Sequence, residues 1–245
     1  MLNRDARISR EAIAPGHDCV IVDDALSEPE RWVELAVRHR ADFVAPSHNA
    51  YPGIELRLPD AISQQLERFF SEHVRRHFGA RRTLRHYCRL SLATLQPAQL
   101  EPRQWICHRD RLDPGPDALV AACVLYLFRD PALGGTGFHV PRRSAHETAV
   151  LVHESGTLDR AAFSRKYAIN AGYHTETTAW FERTAAIEAR WNRLIFYDGG
   201  SVFHGSDIGA PERLSADPAI GRLTLNGFFV CRRSANARTS PSSGR

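Results

Sequence analysis

Three residues with metal-binding side chains stand out by type and spacing. His108 and Asp110 are separated by one residue, and His204 follows much later in the chain. On an extended backbone, residues i and i+2 face the same side, so the first two side chains can reach one ion. Two imidazoles and one carboxylate leave adjacent coordination positions open, as in non-haem iron(II) centres that bind oxygen and a co-substrate. The spacing predicts a metal centre of His108, Asp110 and His204.

A His-x-acid pair is weak evidence by itself, because the chain has 12 histidines and such pairs arise by chance. His174 and Glu176 form a competing pair. The segment between that pair and His204 is predicted to hold mostly a helix and one hairpin. This leaves little sheet to bring the pair and His204 together, so we favour the earlier pair.

The sequence around His204 and beyond it supports a binding site. Residues 192–205 are typical of a strand, a Gly-Gly turn and a short strand that carries the histidine. Downstream, Arg222, Thr224 and Asn226 alternate along one face of a further strand. A guanidinium beside a hydroxyl suits a ligand carboxylate, because the planar guanidinium of arginine can donate hydrogen bonds to both carboxylate oxygens.

The spacing of apolar residues changes along the chain from that of helices to that of strands. These helices and strands must position the candidate site residues. Ser27 and Glu30 have the spacing of a helix-capping box, and apolar residues predict a second helix from about Asp60 to Phe78. A late helix is predicted from about Glu176 to Trp191. The predicted strands are Cys19–Val22, Leu90–Thr94, Leu119–Phe128, Thr148–Val152, Arg193–Tyr197, Ser201–His204 and Arg222–Val230. This order favours an α+β domain built around a β-sandwich or barrel.

The chain shows no internal repeat and no linker, so we expect one domain over residues 1–233. Its first part, residues 1–86, is predicted to be mainly helical, and residues 87–233 are predicted to form the β-core. The Ser-, Pro-, Gly- and Arg-rich end, residues 234–245, is predicted to be a disordered tail.

Composition excludes several classes of protein. The chain is 43% hydrophobic and 24% charged, which is ordinary for a globular domain. It has neither an apolar run of about 20 residues nor the apolar stretch of a secretory signal, so we expect no membrane span and a cytoplasmic location. The five cysteines are scattered and form no CxxC pair, which argues against a disulfide framework and a zinc ribbon. We interpret Cys107, next to a predicted ligand, as a packing residue.

The net charge of +4 is weak evidence for a nucleic-acid partner. The basic residues are almost all arginine and are spread along the chain, without a known binding module. We therefore do not expect a nucleic-acid partner.

Taken in order, the motifs resemble the iron(II)/2-oxoglutarate-dependent dioxygenase superfamily, and most closely its prolyl-4-hydroxylase-like branch. The resemblance runs from about Cys19 to Val230. It is carried by the opening strand Val20–Leu26, His108-x-Asp110, the buried strand Val124–Leu127, the glycine turn Gly134–Phe138, His204 and Arg222-x-Thr224. Members of the superfamily fold as a double-stranded β-helix of the jelly-roll or cupin-like kind. The resemblance implies that fold here, with N-terminal helices that buttress it.

The resemblance also implies roles for individual residues. His108, Asp110 and His204 would bind Fe(II) as the catalytic centre, and oxygen and 2-oxoglutarate would be co-substrates. Arg222 would pair with the distal carboxylate of 2-oxoglutarate and Thr224 would hydrogen-bond to it. Tyr126 is a weaker candidate for the same carboxylate. Arg213 is the alternative to Arg222, because the segment between His204 and Arg222 is longer than in many members of the superfamily.

The chain departs from the family pattern in a large insertion, about residues 139–190, which is predicted to be helical. Its aromatic and arginine residues could form a lid or substrate wall, or the segment could be an extra helix packed on the barrel. The expected activity is oxidation, for example hydroxylation, of a small-molecule or amino-acid-type substrate. Two alternatives stay open, which are a nucleic-acid demethylase of the same chemistry and a catalytically inactive β-barrel binding protein.

Overall fold

The computed structural model describes residues 2–3, 5–46, 51–112, 115 and 118–234. The α-helices of these residues are α1 (Glu30–Arg38), α2 (Asp60–Phe69), α3 (Ala145–Glu154) and α4 (Arg160–Tyr167). The strands are β1 (Arg7–Ala14), β2 (His17–Asp23), β3 (Gly53–Arg57), β4 (Ala80–Ala93), β5 (Ala118–Tyr126), β6 (Thr136–Pro141), β7 (Phe181–Ile187), β8 (Leu194–Asp198), β9 (Phe203–Ser206) and β10 (Arg222–Arg233). Among the described residues, every helix is too short or too polar to traverse a bilayer.

The strands form two antiparallel sheets. The larger sheet has the order β1-β2-β8-β5-β10-β4-β3, and the smaller sheet has the order β7-β6-β9. The inner layer between them is apolar, because Phe138 of β6 and Ile187 of β7 are buried in one cluster with Tyr197 of β8 and Phe228 of β10. The smaller sheet therefore packs over one face of the larger one. This arrangement confirms the predicted β-core, which is mostly antiparallel sheet.

Helices cover the outer faces of both sheets. Helices α1 and α2 bury Ala36, Leu66 and Phe69 against the far face of the larger sheet. Helices α3 and α4 bury Leu151 and Phe163 against the outer face of the smaller sheet. The molecule thus has three apolar layers, and the layer between the sheets holds the inward-facing residues of both.

The prediction that residues 1–86 are mainly helical is wrong, because this part of the chain holds strands as well as the helices α1 and α2. Strands β1, β2 and β3 and the first half of β4 lie in this part of the chain. Strand β1 lies at the edge of the larger sheet and is exposed over most of its length, so it shows no apolar alternation. The predicted capping box of Ser27 and Glu30 is also wrong in register, because α1 begins at Glu30 and Pro29 occupies the N-cap position.

The predicted order of strand and helix between residues 139 and 190 is reversed. The predicted strand Thr148–Val152 lies inside α3, which begins with a capping box between Ser144 and Glu147. The predicted late helix instead contains β7, which pairs with β6. Valine and threonine in α3 favour a strand locally, but the cap and the packing of Leu151 override that preference. Within the predicted insertion, α3 and α4 are added between two strands of the smaller sheet.

The predicted tail begins as a continuation of β10. Ser234 donates a backbone hydrogen bond to the carbonyl oxygen of Gly79 over 2.8 Å. The rest of the predicted tail, residues 235–245, lies outside the described residues. The single-domain boundary at residue 233 stays a prediction.

Candidate metal centre

The structure brings His108, Asp110 and His204 together. Each offers one ligand atom, and these atoms lie within 4.8 Å of one another. Nε2 of His108 is 3.9 Å from Oδ1 of Asp110, and Nε2 of His204 is 3.6 Å from Oδ2 of the same carboxylate. The two imidazole rings have centroids 4.5 Å apart. A single ion placed between them can contact all three side chains.

Main-chain hydrogen bonds position this group. The backbone N–H of His108 donates to the carbonyl of His204 over 2.9 Å, and the N–H of His204 donates back over 2.8 Å. The N–H of Asp110 donates to the carbonyl of Gly199 over 2.8 Å. The hairpin that joins β8 to β9 therefore holds both members of the His-x-Asp pair.

A backbone carbonyl orients the imidazole of His204. Its Nδ1 lies 3.0 Å from the carbonyl oxygen of Val202. A carbonyl oxygen only accepts, so Nδ1 carries the proton and Nε2 presents its lone pair toward Asp110. The ring also packs edge-on against Tyr197, with centroids 4.7 Å apart. His204 is thus held in the tautomer and orientation of a metal ligand.

Burial keeps both histidines neutral. Removal from water lowers the pKa of His204 to about 4, although its bond to Val202 opposes the shift. Removal from water, together with the neighbouring ring of His204, lowers the pKa of His108 to about 4, with Asp110 opposing. Neutral imidazole is the form that binds metal ions.

The carboxylate of Asp110 fits a cation. Its Oδ2 is buried, and no hydrogen-bond donor among the described residues reaches it. Burial raises the pKa of Asp110 above its ordinary value, and His108 and Arg89 lower it in part. A buried carboxylate oxygen without a donor is unfavourable, and a bound metal ion would compensate for this. The donor set of two neutral imidazoles and this carboxylate therefore fits iron(II).

Gly199 allows the carboxylate to approach the hairpin. A methyl group at Gly199 would overlap Oδ2 of Asp110 and would lie 2.9 Å from the β-carbon of Ala122. The two glycines of the turn were interpreted from the sequence as turn residues only. The structure shows in addition that Gly199 leaves the space that the carboxylate of Asp110 occupies.

The centre lies in the wall of a cavity of about 370 Å³. This volume falls in the range of about 300–1,000 Å³ that is usual for small-molecule sites. The same wall carries Arg222 and Thr224, two of the candidate residues from the sequence, and also Tyr51. Further arginine and aromatic residues of the wall are Tyr87, Arg89, Arg103, Arg109, Arg111, Tyr173, Tyr197, Phe203 and Phe228.

Arg222 is buried and rigidly held. Its Nε donates to the carbonyl of Leu133 over 2.9 Å, and its second terminal nitrogen donates to that of Gly135 over 2.7 Å. The glycine turn before β6 thus fixes the guanidinium from one side. Its first terminal nitrogen, Nη1, makes no hydrogen bond to any described residue. This leaves a positively charged donor for a ligand.

Tyr51 is a site residue that the sequence did not indicate. Burial raises the pKa of its hydroxyl, while the charge of Arg222 and the nearby side chain of Thr224 lower it in part. Tyr51, Thr224 and Arg222 therefore form one polar group. Tyr51 lies just before β3, in a segment without periodicity, so no sequence pattern points to it.

The structure separates the other candidates from the cavity. The hydroxyl of Tyr126 lies 2.8 Å from Oγ1 of Thr136, and Tyr126 is buried between the sheets without lining the cavity. Arg213 forms an exposed ion pair with Asp130 over 2.6 Å and does not line the cavity. His174 does line it, but lies in a separate group with Cys107 and His139.

The sequence from residue 4 to 229 matches the model of a protein family described as a family of unknown function, DUF6445. The chain belongs to this family. The match covers every residue of the candidate centre. No curated protein matches the DUF6445 chain.

Solved structures overlap most of the DUF6445 chain at low sequence identity. The non-heme alpha ketoglutarate dependent epimerase SnoN from nogalamycin biosynthesis is 13% identical, with a TM-score of 0.47 over 93% of this chain and 86% of its own. The carbocyclase SnoK from the same biosynthesis is 16% identical, with a TM-score of 0.46 over 93% and 88%. HygX from Streptomyces hygroscopicus, with nickel and 2-oxoglutarate bound, is 11% identical, with a TM-score of 0.43 over 87% and 82%.

Replacing Gly199 by alanine is expected to weaken metal binding. The added methyl group must displace the carboxylate of Asp110. Changes beside a ligand typically reduce metal affinity about 10- to 100-fold. Competition with a chelator measures the affinity for iron(II) or cobalt(II). The control is Gly209→Ala, because Gly209 is exposed and a β-carbon there meets no atom within 4 Å. Equal affinity in both variants would contradict the packing argument.

The metal-free protein is expected to lose stability as the pH falls from 6.5 toward 4. The pKa of His204 is about 4 in the folded chain against an ordinary 6.5, so the unfolded chain binds the extra proton first. One such histidine contributes up to about 3 kcal/mol above this window, and the contribution disappears below it. Urea unfolding after chelator treatment gives the slope of the unfolding free energy against pH. His204→Gln should reduce that slope, and identical slopes would contradict the assignment.

Proposed function

We propose that this protein is an iron(II)- and 2-oxoglutarate-dependent oxygenase that oxidises a small-molecule or amino-acid-type substrate. The observation that carries the proposal is the meeting of His108, Asp110 and His204 in the wall of a cavity that also presents a buried arginine. The triad fits the metal, and the arginine fits a dicarboxylate co-substrate.

The sheet arrangement supports the fold that goes with this function. Two facing antiparallel sheets enclose an apolar layer, and the metal ligands stand where the smaller sheet meets the hairpin after β8. We propose that these sheets form a double-stranded β-helix of the jelly-roll kind. The resemblance of the motifs is greatest to the prolyl-4-hydroxylase-like branch, although α3 and α4 add to that pattern.

The residues of the centre would hold iron with little rearrangement. His204 has its lone pair directed by Val202, and Asp110 has a buried oxygen without a donor. Iron(II), when bound, would supply the redox and Lewis-acid chemistry that activates oxygen. The chain contributes neutral imidazoles, one negative charge and a wall that limits access of water.

The polar group of Arg222, Thr224 and Tyr51 would bind the distal carboxylate of 2-oxoglutarate. Nη1 of Arg222 would donate one charge-assisted bond, and the two hydroxyl groups would donate further bonds. Burial strengthens such bonds, because little water competes for the carboxylate. The remaining wall, with Arg89 and Tyr87, would face the substrate.

Loss of the triad is expected to abolish turnover. In His108→Ala or Asp110→Ala, the remaining two ligands cannot hold iron in place. Anaerobic addition of iron(II) and 2-oxoglutarate should give a visible charge-transfer band in the wild-type chain, and admission of oxygen should yield succinate. Both signals should disappear in the two variants. The control is His146→Ala, an exposed histidine of α3, which should keep both. A folded wild-type chain that gives neither band nor succinate would refute the proposed function.

Replacing Arg222 by glutamine is expected to raise the dissociation constant of 2-oxoglutarate about 10- to 150-fold. A hydrogen bond to a charged group is worth roughly 1.5–3 kcal/mol. The affinity is measured by titrating the charge-transfer band of the iron-loaded protein. Arg213→Gln is the matched control, because Arg213 lies outside the cavity. A larger increase of the dissociation constant in the Arg213 variant would show that Arg213, and not Arg222, binds the co-substrate.

A further inference from the structure

A second group of metal-ligating side chains lies on the smaller sheet. Cys107, His139 and His174 each offer one ligand atom, and these atoms lie within 4.8 Å of one another. Cys107 directly precedes His108, His139 belongs to β6, and His174 lies in the irregular segment between α4 and β7. Three distant parts of the chain therefore converge on this point.

Two members of the second group, Cys107 and His139, face the opposite side of the smaller sheet from His108 and His204. Phe138 pairs with His204, and both face the layer between the sheets. His139 pairs with Phe203, which packs in the outer layer under α3 and α4. Cys107 is buried in the same outer layer. Alternation along extended segments thus directs His108 and His204 inward, and Cys107 and His139 outward.

Three of the four ring nitrogens in the second group have no hydrogen-bond partner among the residues that the structure describes. Both ring nitrogens of His139 and Nε2 of His174 are buried without a partner among the described residues. His139 is only 1% exposed, and its ring centroid is 4.6 Å from that of His174. An imidazole in an apolar layer normally has at least one hydrogen bond, so these nitrogens require another partner.

We propose that Cys107, His139 and His174 bind a second metal ion, of the zinc class. One thiolate and two imidazoles form a borderline-soft donor set that suits zinc(II), whereas the carboxylate of the first group suits iron(II). On binding, the S–H bond of Cys107 breaks, a metal–sulfur bond forms and the proton passes to water. A tetrahedral ion with three protein ligands keeps one position for a water molecule.

The geometry requires only a small closure around the ion. Ligand atoms in a tetrahedral zinc site lie about 3.3–3.6 Å apart, from bond lengths of about 2.0–2.3 Å. The three ligand atoms here lie within 4.8 Å of one another. His174 can supply the movement, because its segment has no helix or strand hydrogen bonds.

Such an ion would connect the outer layer to the catalytic centre. Cys107 adjoins His108, and both His174 and its neighbour Tyr173 line the cavity. Metal binding would therefore fix the segment that presents His108 and part of the cavity wall at the same time.

Cobalt(II) tests the second site, because a thiolate ligand gives a near-ultraviolet charge-transfer band that a His/Asp/His centre cannot give. The wild-type chain is titrated with cobalt(II) alone, and bound metal is counted by elemental analysis after gel filtration. We expect two ions per chain and the thiolate band. A folded wild-type chain that binds cobalt without this band overturns the proposal.

Variants assign the band to its ligands. Cys107→Ser should lose the band and one ion. Cys231→Ser should keep both, because Cys231 is a buried cysteine of β10 that packs on the far face of the larger sheet. His174→Gln provides the same test at the least buried of the three proposed ligands. If the band persists in either the Cys107 or the His174 variant, the site is not the one proposed.

The second metal site and the proposed oxygenase function can be disproved independently of each other. His108→Ala should lose one ion and keep the thiolate band, because its side chain points to the other face. Loss of the band in that variant, with the fold intact by circular dichroism, would contradict a separate second site. Absence of succinate in the wild-type chain would count against the oxygenase only.

Discussion

The candidate centre depends on the register between the segment of His108 and the hairpin of Gly199 to His204. Two hydrogen bonds join the backbones of His108 and His204, and a third joins Asp110 to Gly199. A shift of one residue would turn both ligands of the pair to the opposite face, because side chains alternate along extended backbone. The position of the ligands is therefore set by main-chain pairing, and the side chains add the chemistry.

The sequence predicted those parts of the molecule where local pattern and tertiary role agree. The buried strands β5 and β10 are continuous or alternating apolar runs, and both were predicted within a few residues. The triad was also predicted as a group, because a strand, a glycine turn and a second strand place His204 at a definite position. Its chemistry follows from residue type, which is visible in the sequence.

The sequence could not predict features that depend on contacts between distant segments. Strand β1 is polar and gains its structure from pairing with β2, and α3 contains residues that favour strands. Tyr51 reaches the cavity only because β3 pairs at the edge of the sheet beside β4. Cys107 packs in the outer apolar layer, as interpreted from the sequence, but its proximity to His139 and His174 was not predicted, because both are far from it in the chain. In each case the decisive partner lies outside the local window.

The rigid anchorage of Arg222 has a consequence for ligand size. Backbone carbonyls of the turn before β6 hold its guanidinium, and Gly134 in that turn adopts a φ of +74° with the backbone of Asp207 against it. The metal ligands are equally fixed by the opposite hairpin. The distance between Arg222 and the metal ligands is thus set by the folded backbone. For the proposed dicarboxylate co-substrate, this fixed distance would select the length of the carbon chain. A diacid that is one methylene shorter or longer would lose its contact with either Arg222 or the metal.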